Sequence, residues 1–167
     1  MKDDKNTIDV DREVLVLFIR KEVNNLREVL IPKPEIIFVV LRFHLLIENL
    51  LERIIIAKIE RGNRIIDKGY LSFNQKVYLV YSLNVLDIQT IDTIKQLNSI
   101  RNHCAHNKDK ELTIGDIESI GRPLGRTYTD IKNHHADNLV ELTILTFAKI
   151  YEKVLVQVAW LEFNDTE

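Results

Sequence analysis

The sequence predicts an all-α protein, a single bundle of four to five main helices. Glycine and proline number only 5 and 3 in 167 residues, too few turn-formers for a many-stranded fold. Hydrophobic residues make up 46% and charged residues 29%, enough apolar material for one real core beneath a charged surface. Apolar side chains also recur every three to four residues along most of the chain, the period of a helix face.

From about Asp9 to Leu30, the residues Val10, Val14, Leu17, Phe18, Val23, Leu26 and Leu30 lie close to one helical stripe. The stretch Ile31-Pro32-Lys33-Pro34 breaks it, and Pro34 suits the first position of the next helix. That second helix is expected from Pro34 to Arg61, with Gly62 as its C-terminal cap. It is apolar on more than one side (Ile36 to Leu41, then Leu45 to Ile47), so it should be the central helix or lie in a subunit interface. Ser72-Phe73-Asn74-Gln75 matches a capping box and predicts a short helix to about Leu83. The next helix begins near Asp87, carries Ile88, Ile91, Ile94, Leu97 and Ile100, and ends in Arg101–His106. Asn107–Lys110 reads as a polar loop, and Thr113 to Asp116 as the cap of a short helix to about Ile120. Gly121-Arg122-Pro123-Leu124-Gly125 is a breaker cluster. A last, strongly apolar helix is expected from Ala136 to Leu161. No repeat or linker divides the chain, so residues 1–167 are expected to form one domain, with 1–8 flexible.

The net charge of −2 and pI near 6.2 argue against a broad nucleic-acid-binding surface but leave room for a small local site. A single cysteine, Cys104, excludes an internal disulfide framework and fits a reducing compartment. Met1–Asn6 lacks the apolar core of a signal peptide. The longest apolar stretch, Ile36–Leu51, is interrupted by Arg42, His44, Glu48 and Asn49 and is too polar and short to span a bilayer. A cytoplasmic protein with no membrane contact is expected.

The segment richest in chemistry is Arg101-Asn102-His103-Cys104-Ala105-His106. Arg101 offers a permanently charged fork for phosphate oxygens. His106 can move a proton near neutral pH. On a continuous helix, residues five apart point roughly 140° from each other. Arg101 and His106 therefore converge only if the last turn unwinds or a second copy of the site supplies the partner. Asn98, Asn102 and His106 are four apart and share a face, so Asn102 can orient the imidazole or a phosphate oxygen. A plainer reading is that an arginine and a histidine here complement the negative end of the helix dipole.

Arg-Asn-x-x-x-His at the end of a late helix resembles the signature of the HEPN superfamily, in which an arginine, often followed by asparagine, precedes a histidine by four to six residues. The order of surrounding segments is similar too. A long apolar helix with internal glutamates (Leu45 to Glu52) comes first, then Leu71-Ser72-Phe73-Asn74-Gln75-Lys76, then Ile100 to His106. That order also looks like the mannitol operon repressor branch. The resemblance covers roughly residues 36 to 160. It implies a helical bundle that dimerises with two motifs facing one cleft, and in catalytic members a metal-independent endoribonuclease needing no cofactor. His106 would then be general base or acid for attack of the RNA 2′-hydroxyl on its own phosphate. Arg101 would stabilise the phosphoryl oxygens and Asn102 orient one of them, leaving a 2′,3′-cyclic phosphate. The partners implied are a second copy, RNA, and a protein antitoxin or regulatory partner. In toxins paired with a nucleotidyltransferase antitoxin, a tyrosine lies two positions after the histidine. Here that position is Lys108, so control by its modification is not implied. The repressor branch implies the alternative, a non-catalytic regulatory or protein-interaction module.

Other candidates are weaker. His103, Cys104 and His106 lack a second Cys pair at the spacing of a four-ligand zinc site, His134 and His135 could complete one only in space, and Cys104 reads better as a buried thiol. His44, Glu48 and Glu52 form an i, i+4, i+8 stripe that lacks a Glu-x-x-His pair and reads best as a polar row lining an interface or bonding across helices. Glu48 and His103 remain secondary site candidates, Glu48 because it could reach the motif cleft. Gly115, Gly121 and Gly125 match no phosphate-binding loop. Residues 101–135 carry six Lys/Arg, five Asp/Glu and four histidines, a weak electrostatic footprint.

Overall fold

The computed structural model describes residues 12–30, 35–106 and 111–164. They form eight α-helices: α1 (Arg12–Leu30), α2 (Ile36–Lys58), α3 (Gly62–Gly69), α4 (Phe73–Ser82), α5 (Ile88–His106), α6 (Ile114–Gly121), α7 (Arg126–His135) and α8 (Leu139–Asn164). A 3-10 turn, Arg122–Leu124, links α6 to α7. No strand occurs among the described residues. The expected proline break, the Asn107–Lys110 loop and the flexible residues 1–8 lie outside them.

The expected helical bundle forms, with eight helices of 8 to 26 residues among the described residues where four to five main ones were expected. Two helices had little periodic signal. α3 is eight residues long with only Ile65 and Ile66 as large apolar residues. α7 buries only Tyr128. Gly62 also has a different role from the one expected. α2 ends at Lys58 with Ile59 as its C-cap, and Gly62 opens α3. A β-carbon there would lie 2.4 Å from the Ile55 carbonyl oxygen, so the α2–α3 corner closes only over a glycine.

Both capping boxes form. Ser72 Oγ accepts from the Gln75 N–H, and the Ser72 N–H donates to Gln75 Oε1 at 2.8 Å. Thr113 and Asp116 exchange the same pair of bonds at the start of α6. Asp87 starts α5, its carboxylate accepting from the Thr90 N–H at 2.7 Å and the Thr90 hydroxyl at 3.0 Å.

α2 is the hub, packing against α1, α3, α4, α5 and α8. Its buried side runs Val39, Val40, Phe43, His44, Ile47, Leu50, Leu51, Ile54 and Ile55. Each fully buried aliphatic side chain of this kind contributes about 1.5–3 kcal/mol. Phe43 stacks on Phe147 of α8 with centroids 4.1 Å apart. Farther along, Arg53 grips Glu162 with two bonds, at 2.7 and 2.6 Å. The side of α2 away from the core carries Phe38, Leu45 and Ile56, all exposed. No helix of the described residues is long and apolar enough to cross a membrane.

Candidate functional site

The motif closes α5, and the helix does not unwind beneath it: residues 101–106 are all helical. Arg101 and His106 therefore diverge by roughly 140° within one chain. Arg101 is half-buried and donates from Nη1 to Asn102 Oδ1 at 3.0 Å. His103 and His106 are exposed, and the Cys104 thiol is buried. Asn98, Asn102 and His106 keep their common face.

Behind Arg101 lies a polar network inside an otherwise apolar core. The His44 side chain, 4% exposed, points from α2 toward α5. The Asn98 amide donates to Asn74 Oδ1 at 2.9 Å, which leaves its own carbonyl oxygen for the His44 Nε2–H at 3.0 Å. The imidazole also stacks on Phe73 with centroids 4.0 Å apart. Burial holds the His44 pKa below the ordinary imidazole value, and the positive charges of Arg101 and Lys76 act the same way. The Asn98 bond and the Glu48 charge oppose that shift without cancelling it. His44 is thus a neutral core histidine whose electrostatic neighbours include the motif arginine.

Lys76 is the second buried polar centre. Its ammonium bonds Glu48 at 2.6 Å and Glu52 at 2.5 Å, joining α4 to two successive turns of α2. Burial disfavours the charge, but the two carboxylates outweigh it and the Lys76 pKa is raised. The His44-Glu48-Glu52 stripe thus bonds across helices. Glu48 is tied to Lys76, and among the described residues no three His, Cys, Asp or Glu side chains gather as a metal site. His134 and His135 bond locally instead, His134 Nδ1 to the Asp130 carbonyl at 2.7 Å and His135 Nδ1 to Glu141 at 3.3 Å.

The sequence reading missed Lys76, Asn74 and Phe73 as members of this network. A signal for Lys76 was present. Phe73, Lys76, Val77 and Val80 are the buried positions of α4 and fall at i, i+3, i+4 and i+7, so the lysine sits within an apolar stripe. A lysine there must bring its own counter-charge.

A cleft of about 510 Å³ lies at the other end of α5, lined by residues including Leu86, Asp87, Thr90, Lys149 and Lys153. From Thr90 to His106 is about 24 Å along the helix, so this hollow is separate from the motif. Comparison with protein-family models, curated proteins and solved structures finds no match.

Proposed function

We propose that this chain is a metal-independent endoribonuclease of the toxin or defence type, built on a HEPN-like bundle and acting in the cytoplasm as a homodimer. Arg101 and His106 are its catalytic residues and Asn102 assists. One observation carries the reading. Arg101 is half-buried and bonded to Asn102 close to a buried His44–Asn98 pair that reaches the surface at Asn74, while His106 stands exposed five residues further on. A purely apolar core would pack these helices without burying so many polar groups. Arg101 lies near enough for its charge to act on His44, and its bond to Asn102 orients the guanidinium as a phosphate-binding group requires.

The chemistry follows from those side chains. His106 takes the proton from an RNA 2′-hydroxyl, whose oxygen attacks the adjacent phosphorus. The P–O5′ bond breaks, and the leaving oxygen takes its proton from solvent water. Arg101 balances the charge that grows on the non-bridging oxygens. A straight α5 turns Arg101 and His106 apart, so a twofold pair of chains supplies each phosphate with an arginine from one copy and a histidine from the other. The exposed Phe38, Leu45 and Ile56 are in keeping with self-association.

A second reading is a non-catalytic regulatory or protein-interaction module resembling the mannitol operon repressor family. The observation that favours it is Lys76, the cation of the neighbouring polar centre, which two carboxylates already neutralise and which therefore adds nothing to RNA capture. Incubating total RNA with the protein in the presence of chelator separates the two. The nuclease reading expects fragments with wild type and none with Arg101→Ala; intact RNA in both favours the module.

A further inference from the structure

α4 and α5 share an outer face that the core does not use. On α4, Asn74, Tyr78 and Tyr81 follow at four and three residues and project to one side. On α5, Lys95, Ser99, Asn102 and His106 follow at four, three and four. The two rows meet. Lys95 Nζ lies over both tyrosine rings, 5.3 Å from the Tyr78 centroid and 5.7 Å from that of Tyr81, and beneath the rows Asn74 bonds the buried Asn98 at 2.9 Å. Tyr78 is 61% and Tyr81 48% exposed, so neither ring serves the core.

We infer that this face is a track for single-stranded RNA, with Tyr78 and Tyr81 stacking bases and Lys95 holding the backbone that leads to Asn102 and His106. The inference rests on the nuclease reading, and it adds the groups that grip the substrate away from the cut. Aromatic rings beside a cation are the sequence-tolerant way to hold unpaired nucleotides, since every base has a π-face. Paired bases of an A-form duplex are closed to such rings, which selects single strands. From Lys95 to His106 the row is about 16 Å long, room for a few nucleotides. Ser99 and Asn102 supply donors for phosphate or 2′-hydroxyl oxygens. Lys95 now pairs with Asp92 at 3.6 Å, an exposed contact weak enough for a phosphate to displace.

The test uses the full chain and a fluorescent 2′-O-methyl RNA of about ten nucleotides, which binds but offers no 2′-hydroxyl for attack. Tyr78→Leu/Tyr81→Leu should weaken binding about tenfold or more, and Tyr78→Phe/Tyr81→Phe should hold it within about twofold. Lys95→Gln should flatten the dependence of log K on log salt by about 0.7. Thermal melts of each variant exclude a folding defect. Equal binding by wild type and a folded double-leucine variant would overturn the inference, as would a preference for duplex over single strand. Cleavage of unmodified RNA is read separately. Binding through the tyrosines without cleavage sinks the nuclease reading alone, and cleavage with no role for the tyrosines sinks the track alone.

Discussion

His44 of α2 and Asn98 of α5 are joined by a buried 3.0 Å hydrogen bond, the imidazole Nε2–H donating to the amide oxygen one turn before Arg101. That bond couples the central helix to the helix bearing the motif. Asn98→Leu leaves the imidazole N–H buried without its partner. The expected cost is about 2 kcal/mol, a fall in Tm of about 4–8 °C for a domain of this size. A melt unchanged within a degree would mean that the bond contributes nothing to stability.

The same histidine sets a pH dependence. Its folded pKa lies below the ordinary value of about 6.5, chiefly through burial. As pH drops through 6.5 the unfolded chain takes up a proton that the folded chain resists, so stability falls toward acid until the folded pKa is passed. Above pH 7 the group adds no pH dependence. Wild type should therefore lose more Tm between pH 7 and pH 5 than His44→Gln does. Parallel profiles for the two proteins would remove His44 as the source.

Lys76→Met keeps the volume of a side chain in the α4 stripe but strips Glu48 and Glu52 of their shared counter-charge. Both carboxylates are partly exposed, with side chains 24% and 28% accessible, so water softens the loss. We expect a destabilisation of about 1–3 kcal/mol, below that of a fully buried pair. Urea unfolding should show the midpoint falling with an unchanged slope. An increase in stability would mean that the ion pairs cost more in desolvation than they return.

Gly62→Ala places a β-carbon 2.4 Å from backbone, the Ile55 carbonyl oxygen, which cannot step aside as a side-chain tip would. The α2–α3 corner must open, at a cost of about 1–3 kcal/mol. Gly115→Ala, whose new methyl would meet only the Thr113 hydroxyl at 3.6 Å, should be tolerated in the same melts. Equal melts for both variants would show that the corner is not tight.

Much of this architecture is legible in the sequence where a local rule and the core agree. The Ser72 and Thr113 capping boxes, the apolar row of α5 and the breaker at residues 121–125 each form as their chemistry dictates. α3 and α7 escape because short helices with few apolar residues take their stability from neighbours rather than from periodicity. At the candidate site the motif residues were legible, and so was the His44-Glu48-Glu52 row. Lys76 stood out as a lysine in an apolar stripe, but its pairing with Glu48 and Glu52 was not legible, because they are 24 to 28 residues distant. Such pairing is a property of the packed helices and not of any window along the chain.

The division of labour between copies can be tested by mixing. Arg101→Ala and His106→Ala proteins, unfolded together and refolded, should regain about one quarter of wild-type RNA cleavage, since half the random dimers are mixed and each mixed dimer has one intact site of two. No recovery would place both side chains of a site in one chain.

The most direct measurement is of the product ends. RNA incubated with chelator-treated protein should be cut by wild type to leave 2′,3′-cyclic phosphates, and His106→Ala, with an unchanged melt, should leave the RNA intact. Intact RNA in both reactions, or cleavage by His106→Ala at the wild-type rate, would contradict a nuclease centred on Arg101 and His106.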